Sequence, residues 1–160
     1  ALATLAYAGI SVSAYRVVQS AEEAVAVAGS YAAPAVLKIV SADITHKSDI
    51  GGVALGLANA DAVRTAYGVM QEAVRTNAPN ARLDGVLVAP MLSGGVECIL
   101  GARYDPVFGP MVMFGLGGVF VEIFGDVVLH SAPVTPEQAM EMIRAVKGFG
   151  LLSGDRKSVV

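Results

Sequence analysis

The chain has 160 residues and a net charge of −3; 54% of its residues are apolar and 16% are charged. This length suffices for one domain with a core or for two small lobes that share a seam. The apolar excess is typical of a folded chain rather than a disordered one. Because no Lys/Arg cluster occurs, binding to nucleic acid through phosphate neutralisation is not expected.

Cysteine content and hydropathy indicate the compartment in which the protein is expected. A single cysteine, Cys98, excludes an internal disulfide framework and favours a reducing, cytoplasmic location. The longest uncharged stretch, residues 106–121, is interrupted by glycines and is shorter than the roughly 20 residues of a transmembrane helix. No basic segment precedes the uncharged first residues, so we expect no signal peptide. Since the chain does not begin with Met, we expect it to be a fragment or a processed product.

The first half of the chain predicts a helix, two strands, a longer helix and a third strand. Ser20 and Glu23 form a capping box, and Gly29, in a positive-φ conformation, is expected to end that helix. Asn59 or Asp61 caps the longer helix, which has one apolar face. The predicted strands are Val36–Val40, Val53–Leu57 and Val86–Met91.

The second half begins with a hinge at Ser93-Gly94-Gly95 and then predicts three antiparallel strands and a helix. Thr135, Pro136 and Gln138 form the start of that helix, which is expected to end near Gly148 or Gly150. The order of elements predicts an α+β protein of two lobes with a cleft between them. The three strands are predicted at Val96–Arg103, Met111–Phe120 and Val127–Pro133.

Cations are concentrated around the first two strands. Lys38 lies inside a strand, either on a solvent-facing surface or buried where an anion comes to it. The loop that follows contains His46, Lys47 and Ser48 before Gly51-Gly52. A glycine pair is either a plain tight turn or a place where backbone N–H groups approach a phosphate. The neighbouring donors favour a polyphosphate site, in which a neutral His46 imidazole is suited to phosphate contact or to attack on phosphorus.

Acidic residues and a second glycine loop follow the hinge. Glu97 and Glu122 interrupt strands, and their carboxylates can hold a ribose hydroxyl or Mg²⁺. Asp105 is better explained by an Asp-Pro turn, and His130 by a structural role. The loop 115–122 either closes over phosphates or turns a strand. Neither a Walker A motif nor a Rossmann fingerprint occurs.

Three segments together resemble the ATP-grasp domain of NDP-forming acyl-CoA synthetases, of the ADP-forming acetate–CoA ligase β-subunit type. They are "VLKIVSADITHKSDIGGVALGL", "GVLVAPMLSGGVECILGARYDPVFGPMVMFGLGGVFVE" and "LLSG". The resemblance covers nearly the whole chain. It implies the ATP-grasp fold, with residues 1–92 as the small (lid) lobe, residues 93–160 as a large lobe truncated at its C-terminus, and the nucleotide cleft between them.

The resemblance also implies a role for each candidate residue. Lys38 would contact ATP phosphates, and His46 would relay the phosphoryl group. The loop 46–52 would lie over the phosphates as a mobile lid, and Glu122 would contact the metal ion. The other nucleotide-binding candidates are Lys47, Ser48, Gly51, Gly52, the adenine-holding strand Val88, Ala89, Pro90 and Met91, and Glu97, Gly117 and Gly118.

The implied reaction converts a carboxylic acid, CoA and ATP to acyl-CoA, ADP and phosphate through a phosphohistidine. It requires Mg²⁺ and a CoA-binding ligase domain or subunit with its own histidine, so this chain alone is expected to be incomplete. The apolar excess predicts an oligomer. An alternative is a ligand-binding ATP-grasp region in a protein lysine acetyltransferase or regulatory protein. A structural or interaction domain is a third hypothesis.

Overall fold

The fold is that of a computed structural model, in which residues 2–118 and 125–154 are described. The chain divides into two compact units, Ala1–Ser93 and Gly94–Val160. Each unit contains its own antiparallel sheet. The elements of the first unit are α1 (Leu2–Tyr7), β1 (Arg16–Val18), α2 (Ala21–Ala28), β2 (Ala35–Val40), β3 (Val53–Leu57), α3 (Ala60–Asn77) and β4 (Gly85–Pro90).

The sheet of the first unit has the strand order β1-β4-β2-β3. Its core lies on one face, where α2 and α3 pack. The buried positions of α3 recur at intervals of three and four residues, which places them on one side of the helix. They are Val63, Tyr67, Met70 and Val74. This confirms the apolar face predicted from the sequence.

The helix caps of the first unit follow local signals. Ser20 Oγ accepts a hydrogen bond from Glu23 N at 3.2 Å, as predicted, but Glu23 Oε2 accepts from Gln19 N at 2.8 Å instead of from Ser20 N, so the predicted capping box is only half formed. Asn59, not Asp61, caps α3 by accepting from Ala62 N at 2.9 Å. The positive φ predicted for Gly29 is wrong, since its φ is −63°. The chain there tightens instead into a right-handed turn, in which Ser30 N donates to Val27 O at 3.0 Å.

The second unit contains β5 (Cys98–Asp105), β6 (Gly109–Leu116), β7 (Val127–Ser131), α4 (Pro136–Ala145) and α5 (Phe149–Ser153). Its three strands pair antiparallel, as predicted, and their order in the sheet is β5-β6-β7. Helix α4 ends at Ala145, which is earlier than expected. The reason is Asp126, a buried carboxylate that accepts hydrogen bonds from Lys147 N at 2.8 Å and from Gly148 N at 2.9 Å. The chain turns out of the helix to bring these two amides to it.

Three short elements were not predicted: α1, β1 and α5. They have three to six residues each, too few for a hydrophobic period to register. Among the helices of residues 2–118 and 125–154, none is long and apolar enough to cross a membrane.

The capping box of α4 leads to a stability prediction. Thr135 Oγ1 accepts from Gln138 N at 3.3 Å, and Gln138 Oε1 accepts from Thr135 N at 2.9 Å. Thr135→Ala removes the first bond, so we expect the free energy of unfolding to fall by about 1 kcal/mol. Urea denaturation measures this. Thr65→Ala, on the exposed surface of α3, is the control and is expected to be neutral or slightly stabilising.

Candidate functional site

Lys38 lies on the sheet face opposite the helices of the first unit. Its neighbours Leu37 and Ile39 are 0% and 1% exposed and belong to the core, whereas Lys38 is exposed. Because side chains alternate along a strand, the ammonium group points away from that core. Of the two alternatives that the sequence left open, the structure shows the solvent-facing one, so the lysine is available to an anion without the cost of burial.

The loop 41–52 leaves and re-enters the sheet beside Lys38. Lys38 pairs with Val53 across β2 and β3, and Ile39 N donates to Gly52 O at 2.9 Å. His46 lies within this loop and is exposed, as are Ser48 and Asp49. The structure thus places the two ends of the histidine-bearing loop next to the strand lysine.

Lys47 is turned back into its own loop. Its Nζ donates to Ile44 O at 2.7 Å, and the side chain is partly buried. In this structure the ammonium closes the turn that contains His46 and does not project with it.

The Gly51-Gly52 pair meets a packing requirement that the sequence did not reveal. Gly51 N donates to Ser48 O at 3.1 Å, and Gly52 N donates to Lys47 O at 2.7 Å, so both N–H groups are used inside the loop. Gly51 has a φ of +76°, which favours glycine. A Cβ on Gly52 would lie 2.5 Å from Ile39 Cδ1. The expected use of these N–H groups for phosphate does not match this arrangement.

The end of β4 carries the residues expected to hold adenine. Val88 is buried and its carbonyl accepts from Tyr31 Oη at 3.3 Å, while Met91 N donates to Pro34 O at 2.7 Å. The ladder between β1 and β4 ends at the pair Arg16–Val88. Within the described residues, the backbone of 89–91 therefore has no strand partner on its β1 side. Pro90 has no N–H to donate and Met91 N is already bonded to Pro34 O, so adenine binding by these residues stays a prediction.

Glu97 and the second glycine pair meet in the second unit. Gly117 N donates to Glu97 O at 2.7 Å. Glu97 Oε2 lies 3.5 Å from where a Cβ on Gly118 would be, and Gly118 has a φ of +60°. The structure therefore brings together Glu97, Gly117 and Gly118, which are about 20 residues apart in sequence.

The remaining acidic candidate, Glu122, lies outside the described residues. In residues 2–118 and 125–154, no group of three or more His, Cys, Asp or Glu side chains could hold a metal ion. Mg²⁺ is commonly held by one or two carboxylates together with substrate phosphates. Single carboxylates such as Glu97 fit an ion that arrives with a polyphosphate, whereas a preformed protein cage is not seen in this part of the chain.

Asp105 has a structural role, and His130 contacts the backbone of the residue next to it. His130 Nδ1 lies 2.7 Å from Ser131 O, on β7. Asp105 Oδ1 accepts from Val107 N at 2.9 Å and from Phe108 N at 3.1 Å, which makes it the cap of the turn between β5 and β6. This confirms the Asp-Pro turn predicted there.

The Asp105 turn leads to a pH prediction. The Phe108 and Val107 N–H groups, with a smaller contribution from Arg103, hold the pKa of Asp105 below its ordinary value of 3.8. Because the folded pKa is depressed, the stabilisation is present above pH 3.8 and is lost as the pH falls through the folded pKa. Carbon-13 NMR of the carboxyl group should show a midpoint below 3.8. A midpoint at or above that value would contradict the cap.

Comparison with known proteins identifies the family. The sequence matches the ATP-grasp domain over residues 1–159. It is 47% identical over 148 residues to the beta subunit of ADP-forming acetate–CoA ligase I of Pyrococcus furiosus, covering 92% of this chain and 64% of that protein. It is 45% identical over 148 residues to ADP-forming acetate–CoA ligase I of Archaeoglobus fulgidus, covering 92% of this chain and 22% of that protein. The chain therefore spans less than two thirds of these relatives.

Solved structures of related enzymes have the same fold as this chain. Dinucleotide-forming acetyl-coenzyme A synthetase 1 of Ca. Korarchaeum cryptofilum, in complex with coenzyme A, Ca-AMPCP and HgCl⁺, superposes with a TM-score of 0.91 at 46% identity, covering 97% of this chain and 68% of that chain. A second structure of that protein contains coenzyme A and Mg-AMPPCP, with its phosphohistidine segment pointing towards the nucleotide binding site. It superposes with a TM-score of 0.75 at 43% identity, covering 95% of this chain and 64% of that chain.

These comparisons confirm the predicted α+β, ATP-grasp fold and the resemblance on which it rested. The hypothesis of an acetyltransferase or regulatory region gains no support from the relatives described above. The chain belongs to the ATP-grasp domain family.

Proposed function

We propose that this chain is the ATP-binding and phosphoryl-transfer module of an NDP-forming acyl-CoA synthetase, an acid–thiol ligase. The observation that carries the proposal is the position of Lys38, exposed opposite the core and next to both ends of the His46 loop. The complete enzyme converts a carboxylic acid, CoA and ATP to acyl-CoA, ADP and phosphate. The names of the relatives support this reaction class.

The two residues divide the chemistry between them. The Lys38 ammonium neutralises charge on the phosphates, as positioning and electrostatic stabilisation dominate phosphoryl transfer. A neutral ring nitrogen of His46 forms a bond to the γ-phosphorus. The bond from that phosphorus to the oxygen bridging the β- and γ-phosphates breaks, and ADP leaves. His46 then passes the phosphoryl group to a histidine of the CoA-binding ligase domain or subunit.

The nucleotide contacts are assigned residue by residue. The backbone of Val88, Ala89, Pro90 and Met91 holds adenine, at the point where the ladder between β1 and β4 has ended. Ser48, which is exposed in the same loop as His46, faces the nucleotide. So do Glu97 and the glycine pair beside it, Gly117-Gly118. Mg²⁺ is carried with the phosphates and Glu122 contributes to its site. Residues 1–92 form the small lobe and residues 93–160 the large lobe, which the division between Ser93 and Gly94 supports.

The partners follow from the reaction. The chain works with a CoA-binding domain or subunit that carries a phosphohistidine, in an oligomer located in the cytoplasm. The phosphohistidine segment and coenzyme A of the Korarchaeum structures support such a partner. The carboxylic acid is small, and acetate is the first candidate because the relatives act on it.

Product analysis tests the reaction class. The complete enzyme, supplied with acetate, CoA, Mg²⁺ and ATP, is expected to release ADP and inorganic phosphate in equal amounts with acetyl-CoA. Chromatography of the nucleotides measures this, with other short and aryl acids tested in parallel. Release of AMP and pyrophosphate would contradict the proposal. As a control, residues 1–160 alone are expected to form no acyl-CoA, and steady turnover by them would contradict their role as one module.

A further inference from the structure

We propose that Asp43 and Lys47 are positioning residues for His46. Each makes a hydrogen bond that fixes the loop 41–52, and together they hold the turn that presents the imidazole. The inference rests on the proposed function, because it gives His46 the phosphoryl group, and it extends that function by assigning Lys47 to the loop instead of to phosphate.

Asp43 fixes the part of the loop that precedes His46. Its Oδ2 accepts a hydrogen bond from Arg82 N at 2.7 Å, which joins the loop to the segment between α3 and β4, 39 residues further along the chain. Asp43 N in turn donates to the Oγ of the buried Ser41 at 3.2 Å. The next residue, Ile44, is 7% exposed and packs in the core. The chain is therefore fixed as far as Ile44, two residues before His46.

Lys47 closes the turn around His46. The bond from Lys47 Nζ to Ile44 O, at 2.7 Å, joins the two residues on either side of Thr45 and His46. Lys47 O also accepts a hydrogen bond from Gly52 N at 2.7 Å, so the same residue connects the turn to the end of the loop. Its ammonium has a partner here that a phosphate would have to displace.

The part of the loop that follows His46 is also held by hydrogen bonds. Asn77 Nδ2 on α3 donates to Ile50 O at 3.4 Å, and Gly52 O accepts from Ile39 N at 2.9 Å. Segments that open readily have few buried contacts and exposed backbone hydrogen bonds, and this loop has a buried isoleucine and bonds to three other segments. These contacts favour a fixed platform for His46 over the mobile lid that the family resemblance implies.

The test uses Asp43→Ala and Lys47→Met in the complete enzyme. Single-turnover experiments with γ-labelled ATP measure the rate of His46 phosphorylation, and calorimetry with a non-hydrolysable ATP analogue measures Kd. Because a misplacement of about 1 Å can cost a rate factor of about 100, we expect the rate to fall about 10- to 100-fold while Kd changes less than about twofold. Hydrogen exchange of the loop peptide is expected to become about tenfold faster.

Conservative variants and a matched control separate positioning from other causes. Asp43→Asn retains an acceptor oxygen and Lys47→Arg a donor, so both should recover most of the rate. Asp84→Ala removes the exposed carboxylate that pairs with the Arg82 side chain at 2.8 Å, leaves the bond to Arg82 N intact, and should behave as wild type.

The outcomes are distinct. An increase in Kd of about tenfold for Lys47→Met with unchanged exchange would make Lys47 a phosphate ligand and overturn the inference. Unchanged exchange in either variant, or faster exchange with an unchanged rate, would overturn it too. If the proposed function is wrong, the result is different: His46 of the wild-type enzyme carries no label. In that case the exchange data still decide whether Asp43 and Lys47 hold the loop.

Discussion

Lys38→Met is expected to lower the rate of ATP-dependent phosphorylation of the complete enzyme at least about 100-fold, the usual cost of removing one group that stabilises transition-state charge. Methionine keeps a similar stem but has no charge to place on the phosphates. Since Lys38 is exposed, the free energy of unfolding should change by no more than about 0.5 kcal/mol. Single-turnover labelling and urea denaturation measure the two effects.

The control for this variant is Arg75→Met. Arg75 is an exposed cation of α3 that pairs with Glu72 on the surface, so it shares the charge of Lys38 but lies on a helix that packs against the opposite face of the sheet. Its loss should leave phosphorylation unchanged. If both variants lower the rate equally, the effect would be one of net charge, and Lys38 would lose its assigned role.

Gly52→Ala is expected to destabilise the first unit by about 2 kcal/mol or more. The added Cβ would lie 2.5 Å from Ile39 Cδ1 and 2.7 Å from Lys47 O. The first contact can be relieved only by disturbing a core residue, and the second by moving the loop backbone. Overpacking of this kind typically costs about 1–3 kcal/mol. Calorimetry should show a lower Tm, and single-turnover labelling a slower phosphorylation because the loop carries His46.

Gly68→Ala is the matched control for the same substitution. Gly68 lies in α3, and a Cβ there would meet nothing within 4 Å. Alanine favours the helix, so this variant should be more stable than wild type by about 0.5–1 kcal/mol. If the two alanine variants have equal stability, then the close packing at Gly52 does not constrain the loop.

Features that depend on neighbours in sequence could be predicted from it. The N-cap at Ser20 and the capping box at Thr135 join residues three or four positions apart, and the alternation of side chains around Lys38 can be read directly along one strand. Such signals need no knowledge of the tertiary fold. The strand Val53–Leu57 was predicted with its exact bounds for the same reason.

Features that depend on distant partners could not be predicted. The glycine pair at 51–52 suggested a phosphate loop, whereas Gly52 is required by Ile39 and by the loop's own carbonyl groups. Asp43 gave no signal because its partner, Arg82, is 39 residues away. The early end of α4 is likewise set by Asp126, which precedes the helix by ten residues.

The central claim is that His46 carries the phosphoryl group. The most direct measurement is a rapid-quench time course with γ-labelled ATP and the complete enzyme, followed by peptide mapping of acid-labile, base-stable label. The account predicts that label appears on the peptide containing His46, that it moves into product when the acid and CoA are added, and that His46→Gln eliminates it. Undiminished transfer of label by the His46→Gln enzyme would contradict the account.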